Sequence, residues 1–199
     1  TFIDDGTGRK NNYTGYVAGE FLGHITGIRT AIVDTKHGEK ARVWNFSILV
    51  DDANKEMQYQ HTDRDGHQHT IQGDTYIGKK LIADGVFNFL DPQEGDDFKA
   101  NPSGNERYMR FCETLGIKPK EEIRTLDGKD ITVKLLPTLE EKDLLGKPVI
   151  AVQALSKCQP WTDKKGNTHT QGWRVKFCKT WEKGTVKDMS FDPKEDLPF

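Results

Sequence analysis

In the first third of the chain, residues 41–50 alternate between apolar and polar positions, which is typical of a β-strand with one buried face. Residues 16–35 have no helical period, and their recurring glycines favour a long strand that bends. Residues 41–50 predict a second strand, and residues 57–61 predict a short third one. One apolar face of the second strand is formed by Trp44, Phe46, Ile48 and Val50.

The middle of the chain predicts a helical insertion over residues 74–146. Residues 74–90 are ambiguous because two glycines interrupt them. The residues that follow include an amphipathic helical stripe and, directly after it, a glycine suited to a left-handed cap. The stripe consists of Tyr108, Phe111, Cys112 and Leu115, and the cap is Gly116. A capping-box pattern at residues 138–141 predicts a second, shorter helix.

The last third returns to strand patterns. Residues 130–136 alternate, and residues 148–156 form a nearly continuous apolar run that predicts a central strand. Residues 172–181 alternate with Trp173 and Phe177 on the side expected to face the core. The polar segment 158–171 then becomes the loop of a hairpin.

Three strands, a helical insertion and a final hairpin predict a mainly β fold with helical insertions. This order fits the OB-fold, a five-stranded Greek-key barrel, with elaborations between strands three and four. Other antiparallel α+β sheets have the same order, so they stay open as alternatives. We expect a single domain over residues 1–186 with a flexible arm at 1–15, followed by a disordered acidic tail at 187–199.

The net charge of −2 hides an uneven distribution of charge along the chain. Residues 147–187 hold nine basic and two acidic side chains, a balance of +7. Residues 188–199 hold four acids and one lysine. The total charge therefore does not exclude a polyanionic partner for the basic region.

The tail ends in two acids followed by Leu197, Pro198 and Phe199. A terminal Phe offers its ring and the chain's carboxylate to one apolar pocket edged with Arg or Lys. This ending resembles the acidic tip of bacterial and phage single-stranded DNA-binding proteins. The resemblance implies a phage-type member with an OB-type core that binds single-stranded DNA. It also implies a tip that recruits replication, recombination and repair proteins, formed by Asp196, Leu197, Pro198 and Phe199.

Binding to single strands without sequence preference requires cations along the phosphates and flat side chains that stack on bases. In an OB-fold the strand lies across the second and third strands and against the loops between strands one and two and between strands four and five. A core position is the alternative for the aromatic candidates. The predicted DNA-binding residues are Lys36, Lys40, Arg42, Trp44, Tyr59, Trp161, Lys164, Lys165, Arg174 and Lys176.

No nucleophile or phosphate-loop pattern is present in the sequence, so we expect a binding protein without a cofactor and not an enzyme. His67 and His69 lie near Asp63 and Asp65, but a solvated polar loop is the expected reading of that segment. A recombination mediator or annealing protein, a metal-dependent nuclease and a protein that binds no DNA are the alternatives. Self-association is left open.

No apolar run approaches the ~20 residues that span a membrane, so no membrane partner is expected. Cys112, Cys158 and Cys178 are widely spaced and form no close pair. Such sparse cysteines argue against a disulfide framework and indicate a reducing compartment. We therefore expect a cytoplasmic protein, in the bacterial host if the chain is encoded by a phage.

Overall fold

The computed structural model describes residues 15–35, 40–63, 65–90 and 102–181. In these ranges the protein is mainly β, with ten strands and two α-helices. The strands are β1 (Gly19–Asp34), β2 (Lys40–Val50), β3 (Gln58–Thr62), β4 (Gln68–Gln72), β5 (Lys80–Ile82), β6 (Val86–Leu90), β7 (Lys120–Leu126), β8 (Lys129–Leu135), β9 (Pro148–Thr162) and β10 (Thr168–Thr180). The helices are α1 (Pro102–Thr114) and α2 (Glu141–Leu144).

Six strands form the main sheet in the order β10–β9–β1–β2–β5, and β6 pairs with the other half of β2. The neighbours in this sheet are antiparallel. β5 and β10 stand at opposite ends of the order, yet Ala83 forms a parallel bridge with Val175. The backbone N–H of Asp84 also donates to the carbonyl of Val175 at 3.0 Å. The chain after β5 therefore meets the last strand of the sheet.

The predicted long, bent first strand is confirmed by β1, which pairs with β9 near its start and with β2 over most of its length. Its pairing with β2 shifts between Ile25 and Gly27, which marks an irregularity that bends the strand. A Cβ atom at Gly23 would lie 2.4 Å from the carbonyl oxygen of Leu49. Only glycine permits β1 and β2 to approach so closely at this point.

The core is formed by the inner face of the main sheet, by α1, and by residues of the β3–β4 hairpin and α2. The predicted apolar face of β2 is buried, and Phe46 on that face stacks on Phe111 of α1 with ring centroids 5.1 Å apart. The predicted stripe of α1 also faces the core, and the hydroxyl of Tyr108 donates to the carbonyl of Pro137 at 2.6 Å. Gly116 has a φ of 76°, as expected for a left-handed residue after the helix.

The predicted helical insertion over residues 74–146 is only partly helical. Residues 80–82 and 86–90 are strands β5 and β6, because glycines on either side of β5 prevent a continuous helix. Gly78 has a φ of 77°, and a Cβ atom at Gly85 would lie 2.7 Å from Val43. Farther on, β7 and β8 form a hairpin whose turn residues, Asp127 and Gly128, both have positive φ.

A bulge in β10 reverses the predicted orientation of Phe177. Val175 is opposite Gln153 and Phe177 is opposite Val152, so Lys176 is an extra residue in this strand. Such an insertion exchanges the two faces of the strand beyond it. Val175 is buried, whereas Phe177 is 52% exposed. The predicted core position of Phe177 is therefore wrong.

Candidate nucleic-acid interface

A groove of about 940 Å³ lies between the outer part of the β9–β10 hairpin and β5. Leu155 and Trp173 are cross-strand neighbours in this hairpin. Leu155 lies two residues from Gln153, and Trp173 lies two residues from Val175. Gln153 and Val175 are buried, so Leu155 and Trp173 lie on the face of the hairpin that is turned toward the core. The inner face of the hairpin thus continues beyond the core as an open surface. Aromatic and cationic side chains along the groove are Tyr16, Lys80, Trp161, Trp173 and Arg174.

Trp161 is exposed over 46% of its surface, but its indole ring is held in one position. The indole N–H donates to the carbonyl of Gln171 at 3.1 Å. The ring stacks on His169, with centroids 4.6 Å apart and planes inclined by 26°. An aromatic ring fixed before a ligand arrives loses little conformational entropy on binding. Trp161 therefore has the properties of a stacking platform.

The turn beyond Trp161 is organised by the carboxylate of Asp163. This carboxylate accepts hydrogen bonds from the backbone N–H groups of Lys165 at 2.8 Å and Asn167 at 2.9 Å. The ring Nε2 of His169 lies 3.0 Å from the same carboxylate. The hydrogen bond with His169, followed by those from Asn167, holds the pKa of Asp163 well below its usual range. The imidazole that stacks on Trp161 is thus itself fixed.

The β3–β4 hairpin repeats this turn. Residues 62–70 and 162–170 share the pattern T-D-x-x-G-x-x-H-T. Asp63 accepts from the backbone N–H groups of Asp65 and His67, each at 2.9 Å, and its second oxygen lies 2.8 Å from His69. Hydrophobic periodicity does not reveal this repeat, whereas alignment of the two segments with each other does.

Several predicted DNA-binding residues lie at or near the groove. Arg174 lines it, and the guanidinium group donates to the carbonyl of Trp173 at 3.0 Å. Lys164 and Lys165 are exposed at the tip of the β9–β10 turn. The structure also places two apolar residues along the groove: Leu155, which the sequence placed in a strand, and Ile82, which lies in the predicted helical insertion. Lys36 and the tip residues 196–199 lie outside the described residues.

Two predicted stacking residues are buried, and the structure corrects them. Trp44 is 3% exposed because it lies on the inner face of β2. Tyr59 is 5% exposed, stacks on Phe21 with centroids 4.4 Å apart, and donates to the carbonyl of Glu20 at 3.0 Å. Burial raises the pKa of its hydroxyl. Neither ring offers a face to a base.

Three predicted cations do not line the groove. The ammonium group of Lys176 pairs with Asp84 at 2.5 Å, beside a separate cavity on the α1 side of β10. Lys40 and Arg42 belong to the half of β2 that pairs with β6, whereas the groove is bordered by β5. The predicted phosphate contacts of these residues are therefore not part of this groove.

The groove also contains two residues of β5 that the sequence did not single out. Lys80 and Ile82 belong to β5, and Tyr16 precedes β1 with its hydroxyl 3.3 Å from the carbonyl oxygen of Lys80. Ile82 and Leu155 are each about half exposed, at 54% and 49%. The sequence placed Lys80 and Ile82 in the predicted helical insertion, and only the approach of β5 to the β9–β10 hairpin makes them neighbours of Leu155.

One cluster among the described residues has the composition of a metal site. Single ligand atoms of Asp63, Asp65 and His67 all lie within 4.8 Å of one another. The carboxylate of Asp63 already caps its turn through backbone N–H groups and His69. Closure of the hairpin accounts for this arrangement without an ion.

No known protein-family model matches the chain, and no curated protein matches it. Among the residues that the structure describes, no helix has the length and apolarity needed to cross a membrane. The interpretation of the groove therefore depends on its own geometry and chemistry.

Proposed function

We propose that this protein binds single-stranded DNA without sequence preference, in the groove between β5 and the β9–β10 hairpin. The observation that carries the proposal is Trp161, an exposed ring fixed by a hydrogen bond and by a stacked imidazole. Trp173 provides a second indole in the same groove, and Arg174 and Lys80 provide positive charge. Stacked bases gain ~1–3 kcal/mol each from such rings, whatever their sequence.

We further propose that the core is an OB-type barrel. Its five strands would be β1, β2, β5, β9 and β10, with β1 paired to both β2 and β9. The parallel bridge between Ala83 and Val175 supports closure between the third and fifth of these strands. In such a barrel the β9–β10 turn is the loop between strands four and five, and β5 is the third strand. OB-folds bind oligonucleotides at these two elements.

The charges near the groove indicate how binding should respond to salt. Lys80 and Arg174 line the groove, while Lys164 and Lys165 extend from the adjacent turn. Each phosphate neutralised on a single strand contributes a slope of about −0.7 to the dependence of log K on log salt concentration. Contacts by these four cations would give a slope near −3, and stacking would supply the part of the affinity that persists in salt.

Titration of the intrinsic tryptophan fluorescence with oligo-dT tests the proposal. We expect saturable quenching, because bases would stack on Trp161 and Trp173, with an affinity that falls as salt increases. Absence of quenching and of any bound oligonucleotide at low salt would refute DNA binding. Incubation of labelled single strands with magnesium or manganese tests the nuclease alternative, and cleavage by the pure protein would favour it.

We propose that the acidic tip, Asp196, Leu197, Pro198 and Phe199, recruits replication or repair proteins in the cytoplasm. The support is the resemblance of these residues to the family tip, in which acids precede an apolar residue, a proline and a phenylalanine.

Deletion of residues 196–199 is expected to leave the affinity for oligo-dT unchanged or to raise it. The deletion removes Asp196, one of the four acids of the tail, and an acid repels DNA and competes for cations, so its loss should not weaken a contact to phosphate. Phe199→Ala is the matched control, because it removes the ring and keeps both acids; it should leave the affinity unchanged. A clear loss of affinity in either variant would contradict the assignment of the tip to protein partners.

A further inference from the structure

The β7–β8 hairpin forms a sheet of its own and pairs with no other strand in the described part of the chain. An isolated two-stranded hairpin is marginally stable in water unless a further strand or a packed surface supports it. Ile123 at the centre of β7 is 74% exposed, the largest exposed fraction among the large apolar side chains of the described residues. The hairpin therefore presents an apolar centre and a strand edge to solvent.

The turn determines which backbone groups of β7 point outward. Leu126 and Lys129 close a two-residue turn, so they form a hydrogen-bonded pair across the hairpin. Hydrogen-bonded and non-hydrogen-bonded pairs alternate from there. Ile123 is paired with Thr132 and falls in the non-hydrogen-bonded class. Its N–H and C=O consequently point away from β8, toward the outer edge of the hairpin.

The side chains on this edge are complementary to those on the same edge of a second copy. If two copies of β7 pair antiparallel with Ile123 opposite Ile123, then Glu122 of each copy lies opposite Arg124 of the other. Opposite charges in directly facing positions stabilise a strand pair, and apolar pairs do so as well. Within one chain the same two side chains already lie 3.3 Å apart, which shows that both reach along this edge.

We propose that β7 pairs antiparallel with β7 of a second copy about a two-fold axis at Ile123. The pairing would join the two hairpins in a four-stranded sheet and bring the exposed Ile123 side chains into contact with each other on one face. A two-fold contact of this kind closes on itself and gives a dimer. The edge of β8 has Thr132 at the corresponding centre, so pairing there would bury no large apolar side chain at the axis.

Two charge variants test the proposal together. Glu122→Arg places arginines opposite arginines in a dimer, and Arg124→Glu places glutamates opposite glutamates. Each variant alone should dimerise at least about tenfold more weakly than the natural chain, because like charges face each other at two symmetric positions. An equimolar mixture should regain association as a heterodimer, since the arginines of one variant would then face the glutamates of the other. Sedimentation velocity over a concentration series measures the association of each variant and of their mixture.

The mixture separates an interface from simple damage to the hairpin. Each variant also places like charges beside each other within its own β7 strand, and mixing cannot repair that contact. Recovery on mixing therefore requires pairing between copies.

Asp130→Lys and Lys134→Asp provide the matched controls on β8 and should leave dimerisation unchanged. A natural chain that stays monomeric at every concentration overturns the proposal. So does a mixture that fails to associate, or a dimer that responds to the β8 variants instead. Oligo-dT titration of the same variants is an independent measurement, so failure of the dimer and failure of DNA binding are distinguishable.

Discussion

Replacement of Asn54 by Ala is expected to lower the free energy of unfolding by about 3 kcal/mol or more. Asn54 is completely buried, and its amide joins two segments of backbone. The side-chain oxygen accepts from the N–H of Leu22 at 3.0 Å, and the hydroxyl oxygen of Tyr59 lies 3.1 Å from it. The side-chain nitrogen donates to the carbonyls of Leu22 at 2.6 Å and Asp51 at 2.7 Å. Alanine would remove all of these bonds at once and leave the N–H of Leu22 without this acceptor, while the carbonyls of Leu22 and Asp51 would keep only their bonds from the backbone N–H groups of Asp51 and Asn54.

Urea denaturation followed by circular dichroism measures this loss. Asn45→Ala is the matched control, because Asn45 lies on the exposed side of β2 and its replacement should change stability by less than about 0.5 kcal/mol. Equal stability of the two variants would show that the hydrogen bonds of Asn54 contribute little to the fold.

The sequence does not reveal this role of Asn54. The residue follows two aspartates and an alanine, a context typical of a solvated turn. Its importance arises because the 3₁₀ turn Asp52–Asn54 lies against β1, where the amide of Asn54 bonds both the N–H and the carbonyl of Leu22. The same turn also meets a second turn that begins at Gly73. A Cβ atom at Gly73 would lie 1.9 Å from the carbonyl oxygen of Asn54. Contacts between segments so far apart in the chain carry no local signal.

The elements with a long, regular period were predictable from the sequence. The alternation in β2 and the helical stripe of α1 each place one apolar face against the core, so pattern and burial agree. The central strand predicted over residues 148–156 is the first part of β9. Prediction failed where a local irregularity changed the period, as at Lys176, where one extra residue turns Phe177 outward.

The candidate site was predictable only in part, for a different reason. Trp161 stands out because it lies in a polar hairpin segment, and Arg174 because it lies on the polar side of the alternating strand that follows. Trp44 and Tyr59 also lie near cations or polar residues in the sequence, yet both rings are buried in the core. A sequence pattern identifies aromatic residues near charges, but it does not decide whether an aromatic ring packs inside or faces a ligand. Whether a ring is buried depends on which other strands pack against it in the folded chain.

Replacement of Trp161 by Ala is expected to weaken binding to oligo-dT by about 1–3 kcal/mol, a factor of roughly 5–150 in Kd. The variant removes the indole face on which a base would stack. The variant also lacks the hydrogen bond from the indole to Gln171 and the stacking of the indole on His169. The turn of the free protein therefore loses part of its fixed geometry. Anisotropy of a labelled oligonucleotide gives the affinity without depending on tryptophan fluorescence.

Two further variants determine why the affinity changes. His169→Ala keeps the indole but removes the imidazole that holds it, so a smaller loss than that of Trp161→Ala is expected if fixed geometry contributes to binding. Trp44→Phe alters a tryptophan that is 3% exposed, and it should leave the affinity unchanged. Because Trp44 and Trp161 differ in exposure and in their distance from the core, equal effects of their replacement would indicate a general loss of structure. An unchanged affinity in Trp161→Ala would assign this ring to the stability of the hairpin and leave Trp173 as the stacking face of the groove.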